Sequence, residues 1–440
     1  MNMIKNNSFS SLRSFLRLWA SQSVSAMGTA MTNYALVIWV YGQDGTASSI
    51  TNLTLCSFLP TILFRIFAGA AADRWDKKRI MLLCDLAAAC GTAIVFALYA
   101  TSSLKLAHLY AINVLLSFMN AFQVPAAYVA TSLLTPKEHY QRAGGLHALS
   151  SAFISILSPV LGAIVLAWGG MEAVLTIDLV TFAVAFLTLW HITVPKPEAD
   201  AKAKQESVWQ SCLTGLHYLK EHPQLLGLII YIAAVNLLAK LGPDGLLPAF
   251  VLSRTGGDQT ILGAVQSSVA LGLMAGGALA TLTKPAAHSP RAIFRLCCLI
   301  FLSGFGLALS RNAALWCAAV FLQYLFAALM NVHWNTLMRS AVPPALQGRV
   351  YSARDTLQNC TIPLGLYAGG MLADHIFEPW MASSAALPQA LTPLLGEGGA
   401  GIAVQFFLTA LVGLFISAVC MNRKVFQSTH HASDDTFPKK

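Results

Sequence analysis

Charged side chains are scarce in this sequence: Lys, Arg, Asp and Glu make up 11% of its 440 residues, where a soluble domain carries about 25%. With 56% hydrophobic residues and a mean hydropathy of +0.61, the shortage excludes a set of ordinary water-facing domains. Lipid is the solvent for most of this surface. The nine cysteines form no C-x-x-C pair and no Cys/His cluster with metal-ligand spacing. Cys56, Cys90 and Cys317 fall inside apolar runs, where a reduced thiol acts as a small hydrophobe. Neither a disulfide framework, a metal site nor a cofactor is expected. No G-x-x-x-x-G-K-[ST] loop is present, which speaks against ATP-driven pumping, and no H-E-x-x-H or carboxylate-rich cluster supports a membrane-embedded enzyme. A receptor is disfavoured too, because no sizeable segment stands outside the apolar runs.

What the chain has in abundance is long apolar segments. A spanning helix needs about 20 mostly apolar residues, and twelve segments qualify: 15–41, 48–72, 80–100, 106–131, 143–168, 172–194, 225–251, 260–283, 292–310, 313–338, 351–376 and 401–422. In lipid every backbone amide needs an internal partner, so these runs are helices. The first follows a basic segment (Lys5, Arg13, Arg17) but is far longer than the ~7–15 apolar residues of a cleavable signal, and is read as a retained span. The formal net charge of +9 is a matter of topology and not of a nucleic-acid partner. With the N-terminus cytoplasmic, 23 of the 28 basic residues lie in the N-terminal segment, the even-numbered loops with their helix ends, and the tail. Lys105, Arg254 and Arg311 lie outside, and Arg65 and Lys240 within spans. The positive-inside rule then places both termini in the cytoplasm.

The longest cytoplasmic connection is central. Residues 195–207 (PKPEADAKAKQES) are polar, and VWQSCLTGLHYLKEHP follows with Val208, Trp209, Cys212, Leu213, Leu216 and Leu219 on one helical face. That face lies either on the inner leaflet or against the bundle. Around it the halves match: TPKEHYQRA precedes the fifth span and VPPALQGRV the eleventh, 207 residues apart, and SPVLG from Ser158 has its counterpart in IPLG from Ile362. Two six-helix halves in parallel repeat are the mark of a transporter architecture. The expected division is 1–194, a linker at 195–223, 224–422, and a tail at 423–440.

The strongest local signal is GAAADRWDKKR at the turn between the second and third spans: Gly69, Asp73, Arg74, Asp76, Lys77, Lys78 and Arg79. Gly69 lets a neighbouring helix approach, and Asp73 can accept from another helix's N-terminal amides or pair with a basic group. Such contacts would close a cytoplasmic gate; the plain alternative is a basic hairpin. This loop resembles the signature of the major facilitator superfamily, with Asp76 where that pattern has glycine. LWASQSVSAMG in the first span, DRWDKKRIMLLCDL across the second and third, SAFISILSPV in the fifth, TIDLV in the sixth and VPPALQGRV before the eleventh resemble its macrolide-efflux-like group of twelve-helix drug:proton antiporters. The resemblance implies an all-α membrane protein of two pseudo-symmetric six-helix bundles around a substrate cavity. It implies a helix-kink motif at Ser158, Pro159 and Gly162, where Ser158 replaces the usual glycine. It also implies that Gly69, Gly272, Gly276, Gly365 and Gly369 smooth the face between the halves. The arginine-bearing motif of many antiporters is missing from the fourth span, which reads INVLLSFMNAFQVPAAYV.

Ionisable residues inside spans cost about 2.5–3.5 kcal/mol each, so each needs a reason. Arg65 and Asp85 are equally far from Trp75, about 15 Å at 1.5 Å per residue, and are expected to form an ion pair or to serve coupling. Lys240 and Asp244, four apart, can pair locally although Gly242 and Pro243 interrupt the helix there. Asp178 has no evident partner; a buried carboxylate without one favours its protonated form, and the resemblance places an aspartate here. Asp178 is the first candidate for proton coupling and Asp85 the second. The superfamily's use of spans one, four, seven and ten makes Asn33, Asn120, Gln123, Asn236, Asn331, His333, Trp334 and Asn335 cavity candidates. Amides and aromatics among apolar walls suit a bulky amphipathic molecule, and packing or interhelical bonding is the alternative for each. The expectation is a monomeric, proton-coupled exporter of drugs or metabolites in a bacterial inner membrane. A dedicated exporter of a siderophore or lipid-like molecule is the alternative.

Overall fold

The computed structural model describes residues 2–74, 76–135, 140–194, 216–282, 290–343, 346–383, 385–396 and 398–423. These residues are helical apart from short connections, with no strand among them. In chain order the helices are α1 (Asn2–Asp44), α2 (Ala47–Arg74), α3 (Lys77–Ala100), α4 (Leu106–Leu134), α5 (Tyr140–His191), α6 (Pro223–Leu241) and α7 (Pro243–Thr255). There follow α8 (Gln259–Leu282), α9 (Pro290–Leu309), α10 (Ala313–Ala341), α11 (Gln347–Asn359), α12 (Thr361–Leu372), a π-helical turn (Ala373–Phe377), α13 (Glu378–Met381), α14 (Ala386–Leu395) and α15 (Ala400–Asn422).

Nine stretches among the described residues are long and apolar enough to cross a bilayer. One of them, Leu149–His191, is two passes, because Gly170 breaks α5 at φ +67°, a left-handed conformation that costs glycine nothing. α1 and the segmented run from Gln347 to Met381 make up the twelve. The seventh span divides at Gly242 into α6 and α7, with Pro243 opening the second piece. The outward faces are apolar: Leu83, Ile94, Leu187, Leu364 and Phe415 are exposed, while Asp85, Asp178, Thr92 and Ser117 are buried. Such a distribution suits lipid and not water.

The helices cluster into two compact units. The first comprises residues 1–45, 52–204 and 262–267; the second comprises 46–51, 205–261 and 268–440. In the first, α1 packs along α5 and α3 lies against α4 and α5, around a core of Phe15, Leu18, Met81, Cys84, Leu134 and Leu189. In the second, α9 packs on α10 and α15, and α6 on α11 and α12, around Ile229, Tyr231, Phe294, Trp334 and Met338. Most of the amphipathic stretch that opens at Val208 lies outside the described residues. Its helical end, 216–221, is seated on the second unit, with Leu219 fully buried in that core and Leu216 against it.

The glycines of the eighth and eleventh spans serve contacts inside the second unit. A Cβ on Gly272 would stand 2.4 Å from the Phe321 carbonyl oxygen, and one on Gly276 would stand 2.4 Å from that of Leu325. Both glycines let α8 lie directly on α10. Gly365 meets Lys240 and Leu237 of α6 in the same way. The expectation that they smooth a face between halves gives way to close packing within one unit.

Candidate functional site

The polar residues of the first unit converge on a cavity of about 460 Å³ walled by α1, α2, α3, α4 and α5. α1 brings Gln22, Ser25, Thr29, Thr32 and Asn33. Their spacing of three or four residues puts them on one helical face. Asp85 and Thr92 come from α3, Asn113, Asn120 and Gln123 from α4, and Asp178 from the second pass of α5. Leu36, Leu116, Leu175 and Phe182 supply apolar wall between them. Among the described residues no Lys, Arg or His lines the cavity, and the titratable groups that do are Asp85, Asp178 and Cys84.

Each carboxylate is almost fully buried, at 3% exposure for Asp85 and 1% for Asp178, and each is held differently. Gln22 Nε2 donates to Asp85 Oδ2 at 3.1 Å and Gln123 Nε2 donates to Oδ1 at 2.6 Å. Two charge-assisted bonds of about 1.5–3 kcal/mol each offset much of the burial cost, and they tie α3 to α1 and α4. Neutral amides thus hold Asp85; the side chain of Arg65, its expected ion-pair partner, lies outside the described residues. Asp178 is not without partners, contrary to the sequence-based expectation. Thr29 Oγ1 donates to its Oδ1 at 3.3 Å and Thr92 Oγ1 to its Oδ2 at 3.2 Å. Nor does it sit at a water-exposed end: it faces the cavity, and Gly28 allows α1 to come this close. A Cβ on Gly28 would stand 2.4 Å from Thr181 Oγ1 and 3.1 Å from Asp178 Oδ1.

Of the expected cavity residues, Asn33, Asn120 and Gln123 do line this cavity. The others lie in the second unit and have other surroundings. Asn236 donates to the Gln358 carbonyl at 3.2 Å, and His333 Nδ1 lies 2.9 Å from the Leu329 carbonyl. Asn335 accepts from Arg354 at 3.2 Å, and Asn331 is exposed. Trp334, 3% exposed, belongs to the apolar core and is no cavity residue. Lys240 Nζ stands 3.0 Å from Asp244 Oδ2 across the break in the seventh span, and the Tyr324 hydroxyl donates to the other carboxylate oxygen. Gln405 donates to the Leu241 carbonyl at 2.7 Å, capping an acceptor that the break leaves free.

At the turn between α2 and α3, the side chains of Gly69, Asp73 and Arg74, and all of Trp75, lie outside the described residues. Asp76 caps α3 by accepting from the Arg79 amide at 3.2 Å. Lys78 donates to the Trp190 carbonyl at 2.7 Å, placing a cation at the C-terminal end of α5, while Lys77 is buried and Arg79 exposed. In the kink motif Ser158 donates to the Ile154 carbonyl one turn back. Pro159 removes an amide from α5. A Cβ on Gly162 would meet Tyr34 at 3.0 Å, so this glycine seats α5 on α1. Gln22, Thr29, Thr32, Thr92 and Tyr324 escape the sequence reading. The polar stripe on α1 would have revealed the first three; nothing in the pattern marks Thr92 or Tyr324.

Comparison with known proteins places this geometry. A profile of the Major Facilitator Superfamily matches residues 18–366. Macrolide efflux protein A of Streptococcus pyogenes is 23% identical over 369 residues, covering 82% of this chain and 90% of that protein. The multidrug efflux pump Tap of Mycolicibacterium fortuitum is 25% identical over 375 residues, covering 82% and 88%. A solved bacterial homologue of the human lysosomal transporter Spinster, inward-facing and unoccupied, superposes with a TM-score of 0.68 at 14% identity over 93% of this chain and 96% of that one. That last likeness shows the fold.

Proposed function

This chain belongs to the Major Facilitator Superfamily, a transporter and not an enzyme, and we propose that it is a proton-coupled exporter of amphipathic drugs or metabolites. The observation that carries the reading is a cavity holding two buried carboxylates and, among the described residues, no basic one. Two charges buried so deeply and so close together need more compensation than their hydrogen bonds supply. Their neutralisation by a proton taken from one side and released on the other is a means of coupling. Relatives named for macrolide and multidrug efflux support export as the direction, and the positive-inside count supports a bacterial cytoplasmic membrane with both termini inside.

Asp178 is the coupling group, since its hydroxyl partners can reorient as its charge changes. Asn33, Asn120 and Gln123 form a polar wall for the substrate beside apolar Leu116 and Phe182. The loop bearing Gly69, Asp73 and Arg74 acts as the cytoplasmic gate, and the units alternate access by rocking. The test is flux of cationic, neutral and anionic amphiphiles in proteoliposomes under an imposed pH gradient. Gradient-driven flux of at least one class is expected, with the gradient response reduced at least tenfold in Asp178→Asn. Flux indifferent to the gradient would remove the coupling claim. Asp73→Asn is expected to impair transport at normal expression; full activity in that variant would remove the gate.

A further inference from the structure

The two carboxylates are surrounded by different chemistry. Among the described residues Asp85 meets N–H donors on its two oxygens, Gln22 at 3.1 Å and Gln123 at 2.6 Å. An amide N–H presents its positive end to the carboxylate, and the glutamine must turn over before it can offer a cation its oxygen. Asp178 meets hydroxyls, and a hydroxyl carries one hydrogen and two lone pairs. Thr29 has two acceptors at nearly equal range, the Ser25 carbonyl at 3.2 Å and Asp178 Oδ1 at 3.3 Å. Its single hydrogen serves one of them at a time. When it turns to Ser25, the Thr29 lone pairs face the carboxylate, a repulsion that a cation between them converts into attraction. Thr32 stands beside the same carboxylate. Its buried oxygen lacks a hydrogen-bond partner in the cavity wall, in a side chain 94% buried.

From this arrangement we infer that Asp178, Thr29, Thr32 and Thr92 form a site for a dehydrated monovalent cation, sodium in the first instance, that competes with the proton for the same carboxylate. Five oxygens from three helices converge there: two from Asp178 and one from each threonine. Hard cations take such all-oxygen sets of carboxylate, hydroxyl and water. The ligand set favours a single charge: one carboxylate stands among the four side chains, and no group of three His, Cys, Asp or Glu able to hold a metal occurs among the described residues. The other titratable groups that line the cavity among the described residues, Asp85 and Cys84, sit on α3, and no described cation of α1, α2, α3, α4 or α5 lines it to compete. The inference rests on the proposal that Asp178 is the coupling group and extends it to a second ion.

The test is binding of radioactive sodium to the full chain in lipid nanodiscs at pH 8.5, with lithium and potassium as competitors. Saturable binding at one site is expected, weakening as the pH falls and lost in Asp178→Asn. Thr32→Val is expected to raise the half-saturating concentration at least tenfold while leaving size-exclusion behaviour intact, which keeps the test informative if the aspartate variant misfolds. Absence of saturable binding in the wild type, or unchanged binding in both variants, overturns the site. The parent reading fails separately. Gradient-driven flux in sodium-free buffer without sodium binding removes the sodium site and leaves proton coupling. Sodium binding with flux indifferent to pH removes proton coupling and leaves the site.

Discussion

Gly28 is where a single methyl group tests the geometry of the Asp178 site. An alanine there would place its Cβ 2.4 Å from Thr181 Oγ1, 3.1 Å from Asp178 Oδ1 and 3.2 Å from Asp178 Cα. The first clash is with a side chain that can turn away, but Thr181 Oγ1 donates to the Asp178 carbonyl at 2.8 Å, and giving up that bond costs about 1 kcal/mol. The contact with Asp178 Cα is backbone and cannot yield, so α1 and α5 must also separate by a few tenths of an ångström. Overpacking of this kind costs about 1–3 kcal/mol. Gly28→Ala is therefore expected to lower thermal stability in detergent and to weaken transport by displacing Thr29 from Asp178. Thr181→Ala removes the first clash and not the second, so Gly28→Ala/Thr181→Ala should recover part of the loss. The double-mutant cycle should show a coupling of about 1 kcal/mol. Wild-type stability and flux in Gly28→Ala, or strictly additive losses in the double variant, would refute the close approach of the two helices.

Two further outcomes test the second unit. Asp374 accepts from the amides of Ala47 at 2.9 Å and Ser48 at 2.6 Å, capping the first turn of α2. Asp374→Ala should cost about 1–2 kcal/mol and speed amide exchange at 47 and 48, with Asp374→Asn recovering part. For Lys240 and Asp244, whose side chains keep 23% and 20% exposure, Lys240→Met should destabilise by about 1–2 kcal/mol. That lies below the ~3–5 kcal/mol of a fully buried pair. Lys240→Met/Asp244→Asn should be milder than the single change in thermal unfolding, and a double variant worse than either single would contradict the pairing.

The spans were legible because lipid imposes one rule on backbone amides and 20-residue apolar runs satisfy it visibly. The break at Gly242–Pro243 was legible for the same reason: two residues poor at continuing a helix stand together in an apolar run. The site was legible only in part. Asp85 and Asp178 stand out because charge in a span is expensive, but their partners do not. A threonine in a membrane helix costs little and leaves no mark, and only tertiary packing brings Thr29 and Thr92 to Asp178 across separations of 149 and 86 residues. Distance along a hairpin suggested Arg65 for Asp85, a side chain outside the described residues, and gave no sign of the two glutamines that bond it. The family resemblance put Gly272 and Gly276 on a face between the halves, whereas they pack on α10, since a small residue announces close packing without saying which neighbour approaches.

The two carboxylates are nevertheless one electrostatic system. Asp85 and Thr92 are seven residues apart on α3, about 10 Å along the axis, and Thr92 touches Asp178. At that separation two unit charges repel by about 1–2 kcal/mol for an effective dielectric near 20. No cation among the described cavity-lining residues reduces this. Neutralising Asp178, by a proton or by sodium, removes that repulsion and strengthens the hold of Asp85 on Gln22 of α1 and Gln123 of α4. Gln123 lies one turn from Asn120 on the same helix, so the charge state of Asp178 is felt at the polar wall offered to the substrate. A coupling free energy of this size corresponds to roughly 5- to 30-fold in affinity, and by linkage the substrate must alter cation binding by the same factor. Measuring half-saturation for each ligand with and without the other checks that equality. Affinities that are mutually independent would mean that the carboxylate and the amide wall do not communicate.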